Sequence, residues 1–319
     1  MIFQRVELHN HTTESDGNLT VYELADYAVK KNFGVLALTD HNVVSGQNKM
    51  QEYIQDAQLP LKMIPGIEIT TFYAHILTLG LRQMVDFTDL NPNQPEKFMY
   101  KLRRAGAKAI GIAHPFCIGR PVMTGCRNQL HFHDLSCVDY IEIFNTSGEE
   151  RGADSFQANV FGGNLQAIEW WEQNVLDGYR LAAVTGKDIH SLPKDVNVFI
   201  TLAKIDESSS IPVADKVIDS ILHQRTICTK GPILDSYWEK NKLVVESVDC
   251  KDTGWKQKTL LLVVKDNLGH KDIYELDRKV EICTCSDATV FTVKAYDESV
   301  DNEHLVCIGM PIYRQEVKE

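Results

Sequence analysis

Several histidines and carboxylates in this chain recur at spacings that suit metal coordination. His9-Asn10-His11 places two imidazoles at i and i+2, the same face of an extended strand, so both can reach one ion. Asp188-Ile189-His190 repeats that geometry with mixed donors. One such pair says little, since His131-x-His133 is a second H-x-H. The weight lies in the combination with Asp40, His41, Glu68, His75 and His114. Imidazoles and carboxylates without cysteine favour zinc, manganese or iron over calcium or magnesium. Eight or nine such donors exceed the four to six that one ion takes, so more than one metal is expected. Glu68 lies in the apolar run Ile64-Pro-Gly-Ile-Glu68, where an ionised carboxylate without a cation is costly. A carboxylate bridging two ions accounts for it, against the plainer reading of an exposed strand glutamate.

These residues need elements to bring them together. The first two thirds alternate apolar β-type runs with amphipathic stretches, as repeated βα units and a parallel sheet do. Strands are expected at 5–11, 35–40, 62–70, 75–81, 107–113, 139–144 and 180–185. Helices are expected at 19–32, where Thr20 and Glu23 form a capping box, and at 45–57, 95–105, 163–176 and 213–224. His9, His11, Asp40, His41, Glu68, His114, Asp188 and His190 then fall at or just past strand ends, and His75 begins a strand. The C-terminal rim of a parallel α/β barrel is where loops from different strands converge on one site. After about residue 231 come strand-like runs at 260–265, 279–285, 290–295 and 304–308 without helices between them. A small antiparallel β domain is expected there, with the boundary at Lys230-Gly231-Pro232. The division is therefore 1–230 and 231–319.

Composition narrows the partners. The chain has 319 residues with 44% hydrophobic and 24% charged, and Lys plus Arg 33 against Asp plus Glu 44 gives a net charge of −11. That balance describes a globular protein and does not steer a nucleic-acid backbone toward it. No stable nucleic-acid binding is expected, and no membrane association, because no apolar run approaches ~18 residues. Without a basic and apolar leader the location expected is cytoplasmic, and the eight cysteines read as reduced thiols.

The motifs resemble those of the polymerase and histidinol phosphatase (PHP) family. Glu7-Leu-His-Asn-His-Thr-Thr-Glu-Ser-Asp-Gly17 looks like the family's first motif, with Asp16 where some members carry His. Leu36-Ala-Leu-Thr-Asp-His-Asn42 is similar to the second, Ile64-Pro-Gly-Ile-Glu68 with His75 to the third, Ala113-His-Pro115 to the fourth, and Thr185-Gly-Lys-Asp-Ile-His190 to the last. The resemblance covers roughly residues 1–230 and implies a distorted (β/α)7 barrel with two or three divalent ions, zinc, manganese or iron. By it, His9, His11, Glu68 and Asp188 would hold the first ion, Glu68, His75 and His114 the second, and Asp16, His41 and His190 the third. The implied activity is a metal-dependent phosphoesterase acting on a small phosphomonoester or a nucleotide phosphate.

Other residues complete the expectation. Lys187, where many relatives carry a small residue, and Arg120 are candidates for a substrate anion, with Arg151 behind them. Asp40 is expected to orient a metal ligand through a hydrogen bond, or to act as general acid. Glu142 and Asn145 in Tyr140-Ile-Glu-Ile-Phe-Asn145 are expected beside the ligands or facing substrate. A structural zinc can be drawn on Cys126, His131, His133 and Cys137, though the spacing fits no standard pattern. Cys283-x-Cys285 reads as two cysteines on one strand face. Two other functions stay open: the same centre acting on a carboxylic or carbamate ester, and a noncatalytic metal-binding regulatory module. Oligomeric state is not written in the residues.

Overall fold

The computed structural model of the protein describes residues 1–117, 125–146, 163–192, 198–248 and 254–314. The chain begins with β1 (Ile2–Glu7), α1 (Val21–Lys30), β2 (Val35–Leu38), α2 (Ser45–Asp56), β3 (Lys62–Thr70), β4 (His75–Leu79), α3 (Pro95–Arg104), β5 (Ala109–Ile112), β6 (Tyr140–Asn145), α4 (Asn164–Leu176) and β7 (Ala182–Gly186). It continues through β8 (Ile200–Ile205), α5 (Val213–Leu222), β9 (Thr226–Thr229), β10 (Ile233–Glu239), β11 (Lys242–Val248), β12 (Leu260–Asp266) and β13 (Lys271–Leu276). The last strands are β14 (Lys279–Ile282), β15 (Val290–Tyr296), β16 (Leu305–Ile308) and β17 (Ile312–Tyr313).

The α1 boundary follows from its cap. Thr20 Oγ1 accepts from Glu23 N at 3.2 Å and Glu23 Oε2 accepts from Thr20 N at 2.8 Å, while Leu24, Ala25 and Ala28 turn one apolar face to the core. The strands β2, β5 and β7 are buried throughout because helices cover them, so they read as continuous apolar runs.

One large sheet runs β13-β12-β15-β16-β9-β8-β1-β2-β3-β4-β5-β6-β7. Pairing is parallel from β1 to β3 and from β5 to β7, but β4 is antiparallel to both of its neighbours. Its ladders form an open sheet, and five α-helices lie among the described residues, so the architecture is mixed α/β without the seven regular βα units of the expected barrel. Beyond β1 and β7 the chain is joined by the isolated parallel bridge Asn10↔Ile189, with His11 N donating to Ile189 O at 3.0 Å and Asp188 N to His9 O at 2.9 Å. That bridge sets the segment of His9 and His11 beside that of Asp188 and His190.

The expected boundary near 230 falls between β9 and β10, and the sheet crosses it through β9 paired with β16. The antiparallel strands foreseen after 231 are present, and β10, β11 and β14 form a separate three-stranded sheet. Strands β8 and β9 were not expected. A buried charge cluster also ties the two parts together. Glu172 of α4 accepts from Lys265 Nζ at 2.5 Å, Lys294 Nζ at 2.9 Å and Thr292 Oγ1 at 3.1 Å. Burial opposes ionisation of Glu172, but the two ammoniums outweigh it and hold the carboxyl below its usual range. Burial also lowers Lys294, which shares its single carboxylate with Lys265.

Candidate metal centre

The site begins at the end of β1, where His9 and His11 have no exposed surface. His9 Nδ1 lies 2.8 Å from Glu142 Oε1, which can only accept, so the imidazole carries its proton there and turns the Nε2 lone pair inward. That lone pair stands 3.1 Å from His11 Nε2, 3.2 Å from Glu68 Oε2 and 3.4 Å from Asp188 Oδ1. His11 Nε2 is 3.3 Å from Glu68 Oε2 and 3.0 Å from Asp188 Oδ1. Four donors 2.0–2.1 Å from a tetrahedral centre stand about 3.3 Å apart, the spacing seen here.

Glu68 continues the centre through its other oxygen. His75 Nδ1 is 2.9 Å and His114 Nε2 is 3.2 Å from Glu68 Oε1. His114 Nδ1 donates to Cys126 O at 3.0 Å, so its Nε2 lone pair also faces a carboxylate. Next to this lies a third group. His190 Nδ1 donates to Asp188 O at 2.9 Å and leaves Nε2 3.3 Å from Asp16 Oδ1. His41 Nε2 lies 3.6 Å from Asp16 Oδ2, and its Nδ1 is 2.5 Å from Thr70 Oγ1 and 2.9 Å from Glu68 Oε2. The groups able to enclose an ion are His9 with His11 and Glu68; His9 with His114 and Asp188; His41 with Glu68 and His75; and His11, Asp16, His41 and His190. All nine expected ligand residues are therefore brought together. The partition differs in detail, because His41 reaches Glu68 as well as Asp16, and His11 borders two groups.

His11 Nδ1 has no hydrogen-bond partner, and Glu68 Oε2, with three imidazole nitrogens within 3.3 Å, makes no well-aligned hydrogen bond to any of them. Leaving such atoms buried and unpaired is costly, and a divalent cation satisfies both. The electrostatics agree. Burial opposes charge on His9, yet Glu68, Glu142 and Asp188 raise it well above the ordinary imidazole range. His114 rises to about 9 against burial because of Glu68 and Glu142, and His190 to about 9 because of Asp16 and Asp188. Burial alone would raise Glu68 and Asp188, but the surrounding imidazoles, His9 foremost, hold both well below the carboxylate range. Asp16 falls to about 2 against burial, through His190 and His41. Among the shifted imidazoles of the centre only His75 is lowered, chiefly by burial. The pocket thus calls for positive charge, and the donor set suits a borderline transition metal.

The supporting shell is built mainly from β6, which carries no ligand residue of its own. Glu142 Oε2 accepts from His114 N at 2.7 Å and Asn145 Nδ2 at 3.2 Å, and Asn145 also donates to Asp188 Oδ2 at 3.2 Å. Gly186 is required here: a Cβ on it would stand 1.9 Å from Glu142 Oε1 and 2.6 Å from His9 Cβ. His114 and Asp188 both have positive φ, 25° and 50°. Such backbone costs ~1–3 kcal/mol per residue and persists where neighbours over-determine it, as the amide bonds to Glu142 and His9 do. Glu7 is a further member that the sequence reading passed over. It is buried, accepts from Leu8 N, His9 N and Lys187 N at 3.1, 3.3 and 2.9 Å, and burial lifts it to about 7 against Lys187. Its signal was available, since Glu7, His9 and His11 alternate on one strand face.

Asp40 does not orient a histidine in this structure. It accepts from Thr12 N at 2.7 Å, Thr12 Oγ1 at 2.8 Å and Ser15 Oγ at 2.7 Å, fixing the loop that carries Asp16. Lys187 sits half-buried beside Asp188. Arg120 and Arg151 lie outside the described residues. The four residues drawn as a structural zinc site form no ligand group among the described residues; His133 is 76% exposed and faces Glu96, and Cys137 donates to Asp134 O. Cys283 and Cys285 are exposed just past β14.

Comparisons with known proteins point the same way. A 79-residue stretch is 40% identical to the 5'-3' exoribonuclease Rnm of Escherichia coli strain K12 and to that of Salmonella typhimurium. A 68-residue stretch is 35% identical to a 5'-3' exoribonuclease of Haemophilus influenzae, covering 21% of this chain and 24% of that protein. The first match covers 24% of this chain and spans only 27% of the relative's length. Among solved structures, a two-domain protein from Bacteroides vulgatus containing a predicted PHP-like metal-dependent phosphoesterase superposes with a TM-score of 0.51 at 15% identity, over 98% of this chain and 95% of that one. That likeness speaks for the fold. In addition the PHP domain model matches residues 7–135, the segment holding seven of the nine clustered residues.

Proposed function

We propose that the protein is a metal-dependent phosphoesterase that hydrolyses a small phosphomonoester or the phosphate of a nucleotide. One observation carries the reading: imidazole nitrogens of His9 and His114 and carboxylate oxygens of Glu68 and Asp188 converge across 3.2–3.4 Å, a buried donor set whose protons divalent ions would replace. In this reading His9, His11, Glu68 and Asp188 would hold a first divalent ion, Glu68, His75 and His114 a second, and Asp16, His41 and His190 a third. When bound, zinc, manganese or iron would supply an ionised water near neutral pH and neutralise charge on the phosphoryl oxygens. The chain's own residues do the rest. Glu142 fixes the His9 tautomer, Asn145 steadies Asp188, Asp40 holds the Asp16 loop, and Lys187 is our candidate, with Arg120, for a substrate oxygen.

The names of the sequence relatives bring the 5' end of RNA into the substrate range, with the nucleotide's phosphate as the group attacked. We read the strands around the site as a distorted (β/α)7 barrel closed by the Asn10↔Ile189 bridge, with residues 1–230 as the hydrolase unit and 231–319 as a β-rich accessory unit. No helix among the described residues is long and apolar enough to cross a membrane.

The test combines metal content after gentle purification with turnover of phosphomonoesters, nucleotides, 5'-phosphorylated oligoribonucleotides and aryl or carbamate esters in Mn, Zn and Fe forms. Phosphoester turnover that His9→Ala and Glu68→Ala both abolish is the expected result. Turnover only of carbonyl esters would replace the reading with an ester hydrolase. Absence of bound metal and of turnover would leave a regulatory module.

A further inference from the structure

Resting on the phosphoesterase reading, we infer that Phe72, at the tip of the β3–β4 hairpin, is a stacking platform for the base of a nucleotide whose phosphate lies on the metal centre. Phe72 is 75% exposed, the highest value among the large apolar side chains of the described residues that remain exposed, and its neighbour Tyr73 is 37% exposed.

The position is specific. Thr70 and His75 are the last ladder pair of the hairpin, and both face the centre, Thr70 Oγ1 at His41 and His75 Nδ1 at Glu68. Phe72 lies two residues beyond Thr70, within about 7 Å along the chain. One turn thus carries the exposed ring and, at its base, two side chains that reach the centre. Leu192, 64% exposed, follows His190 by two residues. Two of the most exposed apolar side chains therefore flank the rim on which the ligands converge.

The platform is rigid although its surface is bare. Thr71 closes the turn on Ala74, with N to O at 3.1 Å and Oγ1 to O at 2.8 Å, and Thr71 Oγ1 accepts from Tyr73 N and Ala74 N at 3.1 Å each. From below, Gln129 N donates to Tyr73 O at 2.7 Å. Gly125, at φ +85°, packs so close that a Cβ would stand 1.8 Å from Thr71 O. An aromatic ring presented on a fixed turn loses little entropy when a flat partner covers it.

The chemistry selects the partner. With a net charge of −11 the protein gains no general attraction for a phosphate backbone, so local contacts carry the affinity for a nucleotide: the metals and nearby cations on the phosphate, and an aromatic face on the base. Base stacking on an aromatic side chain is worth ~1–3 kcal/mol. A sugar phosphate without a base offers Phe72 nothing.

The test uses the full chain in its Mn form and compares adenosine 5'-monophosphate with ribose 5-phosphate, which keeps the sugar and phosphate and lacks the base. Phe72→Ala should weaken adenosine monophosphate binding by about 5- to 150-fold and leave ribose phosphate binding and the melting temperature unchanged. Phe72→Trp should retain binding and show fluorescence quenching by the nucleotide, beyond that of the wild type, and none by ribose phosphate. Equal affinity of F72A and wild type for the nucleotide, or equal losses for both ligands, would overturn the platform. Failure of the phosphoesterase reading looks different: adenosine would still quench F72W while no phosphate ester is turned over. A 5'-phosphorylated tetraribonucleotide separates the two sources of the base, since tighter wild-type binding than the mononucleotide points to a chain end.

Discussion

Replacing Glu142 with glutamine separates the metal ligands from the group that orients them. The carboxylate accepts from His9 Nδ1 at 2.8 Å on one oxygen, and from His114 N at 2.7 Å and Asn145 Nδ2 at 3.2 Å on the other. Glutamine has the same shape, which matters against Gly186, but it has one acceptor and one donor. If its oxygen serves His114 and Asn145, its amide faces His9 Nδ1 and drives the imidazole proton to Nε2, into the space between His11, Glu68 and Asp188. The opposite orientation sets an amide against two donors. Loss of such an orienting partner typically lowers metal affinity 10- to 100-fold, about 1.4–2.7 kcal/mol. Chelator competition with Zn or Mn, run beside melting of the metal-free protein, measures it. E142Q that binds metal as tightly as wild type, with an unchanged melt, would refute the assignment of the His9 proton and the role of Glu142.

Two further outcomes follow from the charges. His114 is raised from 6.5 to about 9 in the metal-free fold, so its proton contributes stability that is complete below pH ~6.5 and fades as pH rises through about 9, at most about 3 kcal/mol. Coordination needs the deprotonated ring. Metal-free melting temperature should therefore fall between pH 6.5 and 9 while metal-induced stabilisation grows, and metal loading at pH 7.5 should release protons into buffer. A metal-induced shift independent of pH would contradict this. Glu172→Ala should cost about 3–5 kcal/mol in denaturant unfolding because it strands Lys294, only 8% exposed, without its carboxylate, and E172L/K294M should recover most of the loss. A cost under ~1 kcal/mol would show that the cluster does not tie α4 to β15.

Much of the site was legible because its residues sit where strand periodicity puts them. His9, Glu68, His114 and Asp188 end apolar runs whose lengths are readable, and the Thr20–Glu23 box fixed the start of α1. Strand direction is not written in side chains, so β4 gave no sign of running antiparallel to β3 and β5. Strands β8 and β9 escaped for a related reason. Ile-Thr-Leu-Ala-Lys-Ile and Thr-Ile-Cys-Thr are short and mixed, and their identity comes from pairing with β1 and β16 across long sequence gaps. Adjacency to His41 does not show which ligand Asp40 serves; its carboxylate turns to Thr12 and Ser15 and holds the loop that carries Asp16. Phe72 carries no motif; only its exposure on a rigid turn gives it away.

The bridge between Asn10 and Ile189 has a consequence for how the molecule is made. At ~5–20 residues per second on a ribosome, the strand bearing His9 waits roughly 10–40 s for its later partner to be synthesised. Until then two imidazoles and a bare strand edge are open to solvent, able to scavenge the wrong cation or the wrong neighbour. On the proposed reading the donor set is therefore complete only after Asp188 and His190 have been made.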